Sequence, residues 1–235
     1  MVATVCLPTY NERDNLERMV RALGRHDVRV LVIDDDSPDG TGAIADRLAA
    51  ELPYVEVLHR PRKEGLGPAY VAGFRAALEN GAELVLEMDC DFSHDPADVP
   101  RLIGAAADAD LVLGSRYVRG GRIGNWGALR RLVSVGGSLY ARVVLGSSIR
   151  DLTGGFKCYR RAVLETIDLD AVSSRGYAFQ IETTYRALRA GFRVVEIPIT
   201  FLDREVGGSK MSRAIVLEAI WKVPALRLAA LRGRL

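Results

Sequence analysis

The sequence predicts an α/β protein of one domain, built on a mostly parallel sheet flanked by helices, and three observations carry that expectation. Short apolar, β-branched runs recur along the chain. Stretches of about 10–15 residues with helical apolar spacing lie between them, the rhythm of βαβ units. Runs such as "VRVLVI" are apolar throughout rather than alternating, as strands covered on both faces are.

Val2–Leu7 is the first strand and stops at Pro8. Glu12–Leu23 places Leu16, Met19, Val20 and Leu23 on one helical face and closes at Gly24. Val28–Ile33 is the second strand. Asp39 is positioned to N-cap a helix running from Gly40 to about Leu52. Tyr54–Leu58 is the third strand, followed by the loop "RPRKEGLGP", whose "GLGPA" reads as a turn into a helix over Ala69–Leu78. Leu84–Met88 is the fourth strand. Asp95, ahead of Pro96, caps the next helix, and Leu111–Leu113 is the fifth strand. A Gly/Arg-rich loop then leads to a helix near Ala128–Leu145. "TGGF" (Thr153–Phe156) reads as a tight turn, Phe179–Ala190 as a helix and "RVVEIPITF" as a strand. The tail from Met211 is helical in composition, with a break or kink expected at Pro224.

Bulk properties set limits on function. The chain has 235 residues, 49% of them hydrophobic and 26% charged, with a net charge of +2, as expected of a folded globular protein. The charge is unevenly placed. From Leu111 to Arg150 there are seven arginines and no acid, and from Arg204 onward seven basic residues against two acidic ones. This asymmetry implies an anionic partner engaged by the C-terminal half. No aromatic-interleaved basic stripe supports nucleic-acid binding. Cys6, Cys90 and Cys158 are odd in number and lack CxxC spacing, which fits reduced thiols in a reducing compartment. The N-terminus shows no signal-peptide pattern. No run reaches the roughly 18 apolar residues of a membrane span; "AIVLEAIWKVPALRLAAL" comes nearest and is broken by Glu218, Lys222, Pro224 and Arg227.

In parallel α/β sheets, ligands bind beyond the C-terminal strand ends. Those ends carry "PTYNE" (Pro8–Glu12), "DDDSPDGT" (Asp34–Thr41), "DCDFSHDP" (Asp89–Pro96) and "GSRY" (Gly114–Tyr117). Asp89 and Asp91 stand one residue apart. Such a pair can hold a hard divalent cation, Mg²⁺ or Mn²⁺, whose remaining ligands are water and substrate phosphates. An isolated pair of this kind is more often two solvated loop acids. Cys90 between them reads as a packing residue. The first strand is not followed by GxGxxG, so a nicotinamide site is not indicated. Tyr10 and Glu12 suit stacking on and hydrogen bonding to a base instead.

Together with "DLTGGFKCY" and "FLDREVGGSK", these motifs stand in the order and spacing of the family 2 glycosyltransferases, which the chain resembles over residues 3–212. More narrowly it is similar to the polyprenol (dolichol) monophosphate mannose synthases. The resemblance implies a GT-A fold and inverting transfer of mannose from GDP-mannose to a polyprenyl phosphate. It places the nucleoside on Pro8, Tyr10, Glu12, Ile33 and Asp35, and metal and diphosphate on Asp89, Cys90 and Asp91. Arg204 and Lys210 fall on a late loop that reaches the diphosphate. Arg116, Arg130 and Ser134 fall on the acceptor phosphate. The implied catalytic set is Asp89, Asp91, Arg116, Arg204 and Lys210. Arg119, Arg122, Arg142 and Arg150 read as solvated or headgroup-facing charges. Asp36 stands where the family pattern commonly has glycine, and Ser138 where it often has asparagine. Residues 1–212 form the transferase domain and 213–235 a basic helical segment suited to a membrane surface. The implied location is the cytoplasmic face of a membrane, with room for a membrane-anchoring partner protein. Gly207 and Gly208 suggest a loop that closes over the donor. A UDP-glucose donor, or a non-catalytic sugar-nucleotide-binding subunit, are the alternative readings.

Overall fold

The computed structural model describes residues 2–124, 126–172, 174, 176–203, 213–233 and 235, without the side chains of 128, 129, 177 and 213–219. Arg204, Lys210 and the Gly207–Gly208 loop lie outside the described residues. The elements in order are β1 (Ala3–Thr9), α1 (Arg13–Leu23), β2 (Arg29–Asp34), α2 (Thr41–Glu51), β3 (Val55–His59), α3 (Leu66–Glu79) and β4 (Leu84–Glu87). A 3-10 turn, Pro96–Asp98, then leads into α4 (Val99–Ala105), β5 (Leu111–Ser115), β6 (Arg122–Ile123) and α5 (Ala128–Leu145). The chain continues with β7 (Lys157–Arg160), α6 (Arg161–Thr166), α7 (Gly176–Arg189), β8 (Val194–Pro198), β9 (Thr200–Phe201) and α8 (Arg213–Leu231).

Seven strands form the main sheet in the order β3-β2-β1-β4-β7-β5-β8, and β6 pairs with β9 in a small second sheet. All neighbours in the main sheet are parallel except β7, which runs antiparallel between β4 and β5. The expectation of a mostly parallel sheet holds, and β7 is an element the sequence did not announce. The single expected strand "RVVEIPITF" is two strands. Pro198, which has no N–H to donate, ends β8, and the chain then crosses to β6.

Each central strand sends alternate residues to opposite faces. One face gathers Cys6, Leu31, Ile33, Val85 and Tyr159 against Tyr70 and Phe74 of α3, Phe179 of α7 and Val223 of α8. Tyr70 and Phe179 stack at 5.9 Å between ring centroids. The other face packs Val5, Leu7, Val30 and Val32 against α1, α2 and α4. All four apolar residues expected on one face of α1 are buried there. Each large apolar side chain so buried stabilises the fold by about 1.5–3 kcal/mol.

Local expectations shift at several points, and β1 runs through Pro8 to Thr9 instead of stopping at the proline. α3 begins at Leu66 rather than Ala69, after Gly65 at φ 108°. Asp39 sits one position before the N-cap, which is Gly40; its carboxylate accepts from the N–H and hydroxyl of Thr41. Pro224 does not break α8, which runs continuously from Arg213 to Leu231. The carbonyl of Ile220, which would have bonded an N–H at position 224, instead accepts from Tyr140 Oη of α5 at 2.8 Å. Val223, Leu226 and Ala230 seat α8 in the core. Among the described residues, no helix is long and apolar enough to cross a membrane.

Candidate active site

The register of the sheet brings the expected motifs to one edge. Thr9, Asp34 and His59 are level at the C-terminal ends of β1, β2 and β3. Thr9 Oγ1 donates to the carbonyl of Ile33 and to Asp34. Asp34 is buried and accepts from Ser37 Oγ at 2.6 Å. These bonds pin the two loops together, and Asn11 N–H reaches Ser37 Oγ across them.

The loops are also conformationally strained. The non-glycine residues at positive φ among those described are Asn11, Asp36 and Phe92, all near 58°. One lies in each of the loops after β1, β2 and β4. Asn and Asp tolerate this region through short polar side chains, whereas for a bulky residue such as Phe it is an outlier. Strain of this kind collects where loops are shaped for a ligand. It also explains why glycine suits position 36.

Among the residues expected to take a nucleoside, Pro8 and Tyr10 are half-buried. Lys63 Nζ lies 3.7 Å above the Tyr10 ring. Glu12 accepts from Asn15 Nδ2, and its own N–H donates to Thr41 Oγ1. Asp35 is buried and takes a 2.5 Å bond from Arg60, which also binds Glu64. Burial raises the Asp35 carboxyl, against the pull of Arg60. The Ile33 side chain fills the core beneath Gly73, so any donor contact at this position falls to its backbone. Arg60 and Lys63 are absent from the residues expected from sequence. Their signal is their place in "RPRKEGLGP", the loop at the C-terminal end of the third strand and hence on the same sheet edge as the other motifs.

At the end of β4, Asp89 is half-buried and Asp91 buried. Asp91 Oδ1 accepts from the N–H and hydroxyl of Ser93. Cys90 packs in the core, as expected. His94 is buried, stacks on Phe156 at 4.9 Å and meets the edge of Phe201. Burial, aided by Arg116, lowers its pKa to about 4 against the opposing pull of Asp91 and Asp151. A neutral ring agrees with its Nδ1 accepting the Asp89 N–H at 3.4 Å. Asp95 caps the 3-10 turn through the Ala97 N–H. No group of three His, Cys, Asp or Glu side chains gathers to cage a metal among the described residues. The two aspartates fit a hard cation that takes its other ligands from water and a diphosphate.

The basic side of the site stands at the end of β5. Arg116 donates from Nε and Nη2 to both oxygens of the fully buried Asp151, and from Nη2 to Thr153. Thr153 opens the "TGGF" turn, so that turn holds the arginine. Arg130, in the first turns of α5, donates to Asp203 at 2.6 Å and lies 4.3 Å from the Trp126 ring. Ser134 accepts from Tyr117 Oη at 2.7 Å. Phe201 touches both His94 and Arg116, and Leu202 N–H bonds the Ser93 carbonyl. The acidic pair and the arginines are therefore joined through β9. The sequence named Arg116 and Arg130 and missed Asp151 and Trp126.

The family model for glycosyl transferase family 2 matches residues 4–168. An undecaprenyl-phosphate mannosyltransferase of Micrococcus luteus is 52% identical over 237 residues, covering 97% of each chain. A polyprenol monophosphomannose synthase of Mycolicibacterium smegmatis is 51% identical, over 98% of this chain and 88% of that protein. Among solved structures, mannosyl-3-phosphoglycerate synthase from Rubrobacter xylanophilus superposes with TM-score 0.67 at 19% identity, over 100% of this chain and 76% of that one. The mannosyltransferase PcManGT of Pyrobaculum calidifontis, in complex with GDP-Man and Mn²⁺, superposes with TM-score 0.60 at 17% identity, over 98% and 74%. At that identity the structures speak to the fold, which is GT-A. With the motifs assembled at one sheet edge, the family match and the full-length relatives, the chain belongs to glycosyltransferase family 2.

Proposed function

We propose that the protein transfers mannose from GDP-mannose to a polyprenyl phosphate, with inversion at the anomeric carbon, at the cytoplasmic face of a membrane. The observation that carries this reading is the convergence on one sheet edge of an acidic pair, Asp89 and Asp91, with a cationic cluster, Arg116 and Arg130. Two relatives above 50% identity bear names for mannosyl transfer to such lipids.

Tyr10, Glu12 and Asp35 receive the nucleoside, with Pro8 and the Ile33 backbone beneath it. Asp89 and Asp91, with the Cys90 backbone, would hold Mg²⁺ or Mn²⁺. That cation would neutralise charge on the departing diphosphate. Arg204 and Lys210 are assigned to the same diphosphate from their motif. The acceptor phosphate is already anionic near neutral pH and needs no strong general base. One of its oxygens forms the bond to C1 as the C1–O bond to the diphosphate breaks, and the electron pair leaves with GDP. Arg130 and Ser134 orient the phosphate. Arg116, anchored by Asp151, adds fixed positive charge beside it.

A membrane location is supported by exposed apolar residues on two adjacent helices. Leu132, Val135, Leu139 and Val143 form a stripe along α5, and Trp221, Leu228 and Leu231 one along α8. Trp221 is 77% exposed and Val143 70%, and apolar side chains grouped along neighbouring helices in this way mark protein or membrane interaction sites. Tyr140 to Ile220 and Arg227 to the Leu145 carbonyl tie the helices side by side.

The test is incubation of purified protein with Mg²⁺, polyprenyl phosphate and radiolabelled GDP-mannose or UDP-glucose, followed by organic extraction. Label is expected in the organic phase from GDP-mannose only, and to vanish with a chelator. Preferential use of UDP-glucose, or no lipid-linked label, would overturn the reading.

A further inference from the structure

Trp126 holds a hydrogen-bond donor that no described residue receives. Its indole Nε1 is buried and has no partner among the described residues. Buried donors are nearly always satisfied, and an orphan at a site points to a group that is bound in use. The surroundings say what kind of group. The Arg130 guanidinium lies 4.3 Å from the Trp126 ring centroid and that of Arg116 5.7 Å. Two cations thus crowd one indole. Gly127, the next residue, is the N-cap of α5. A Cβ placed there would meet nothing within 4 Å among the described residues. The first turn of α5 has no acidic residue to meet the helix dipole, whose positive end favours an anion. Phe201 packs edge-on to the indole at 5.3 Å and 77°, fixing the ring's orientation.

We propose that Trp126 is a positioning residue for the acceptor, its indole N–H donating to an oxygen of the acceptor's phosphate monoester beside Arg130. This rests on the reading of Arg130 and Ser134 as the acceptor-phosphate site. It adds a neutral, directional donor to the anchored Arg116 and the more exposed Arg130. An indole N–H on a ring clamped by Phe201 fixes one phosphate oxygen in direction, which point charges do not. The hydrocarbon chain of the acceptor contributes nothing to this contact, so a short alkyl phosphate makes it as well as a polyprenyl phosphate does.

The test compares wild type with Trp126→Phe, which keeps the ring packing and removes the N–H. Michaelis constants for polyprenyl phosphate and for GDP-mannose are measured with Mg²⁺. The expected result is a rise of about tenfold in the acceptor KM, the size of one hydrogen bond to an ionised group, with donor KM and melting temperature unchanged. An unchanged acceptor KM, or equal rises in both constants, overturns the proposal while leaving the acceptor reading intact. If wild type neither transfers to polyprenyl phosphate nor binds an alkyl phosphate, the acceptor reading falls and the proposal with it. A second measurement does not depend on that variant's folding. The chain has two tryptophans, so Trp221→Phe leaves Trp126 as the only indole. A change in its emission on saturation with an alkyl phosphate supports the contact, and silence at saturation overturns it.

Discussion

Arg116 and Asp151 form a two-point buried ion pair, with Nε–Oδ2 at 2.8 Å and Nη2–Oδ1 at 2.6 Å, and the Arg116 backbone N–H adds a third bond to the same carboxylate. The Asp151 and Arg150 N–H groups in turn bond Glu196 of β8. The arginine is thus part of the architecture as well as of the site. Removing one partner of such a pair strands a buried charge at a cost of about 3–5 kcal/mol, whereas replacing both with apolar residues is often neutral. Arg116→Ala should therefore lower the urea midpoint strongly. Arg116→Met with Asp151→Leu should regain most of the stability and none of the transfer activity. Wild-type stability in the single variant would show that the pair is not structural.

Tyr140 stands in for the N–H that Pro224 lacks. Tyr140→Phe should destabilise by about 1 kcal/mol, the net value of one hydrogen bond. In a Pro224→Ala background, residue 224 supplies its own N–H to Ile220, and the cost of Tyr140→Phe should shrink towards zero. A double-mutant cycle by chemical denaturation reads the difference. An identical cost in both backgrounds would contradict the compensation.

Asp36 occupies a left-handed conformation at φ 58° on an exposed loop. Asp36→Gly relieves backbone strain and should leave stability within about 0.5 kcal/mol of wild type or above it. Asp36→Val places a branched side chain where it fits poorly and should cost about 1–3 kcal/mol. Equal melting temperatures for the two variants would contradict the strain.

Cys158 is buried in β7, and burial raises its thiol pKa from 9.0 to about 12. Its folded pKa lies above its unfolded value. The folded chain therefore holds the proton where the unfolded chain loses it, and stability from this group is complete below about pH 9 and declines as pH rises towards 12. Cys6 behaves in the same sense. Cys158→Ala should be less stable at pH 7 through lost packing, yet should show a shallower decline between pH 9 and 11. A decline as steep as that of wild type would contradict a buried, protonated thiol.

The strand ends were legible because buried parallel strands are written as unbroken apolar runs, and the polar loop at the C-terminal end of each run marks the site edge. β7 was not legible. Its four residues, "KCYR", carry two cations, and the ammonium of Lys157 is buried only because Gln180 O and Thr183 Oγ1 receive it and Glu87 lies opposite in the register. Burial lowers that lysine's pKa to about 8. Asp151 and Arg60 were missed for a related reason. Their roles are set by partners 35 and 25 residues away, and no local pattern records such pairings. Asp89, Asp91, Arg116 and Arg130 could be picked out as candidates because their motifs are local, whereas the aromatic contacts through Phe201 and Trp126 that link them are written in no motif.

The most direct test of the account is calorimetric titration of GDP into wild type, Asp89→Asn and Asp91→Asn, with and without Mn²⁺. Wild type should bind GDP at least about tenfold more tightly with the ion, and both variants should lose that gain while keeping their metal-free affinity. The same metal-dependent gain in either variant would contradict the placement of the cation and diphosphate on this acidic pair.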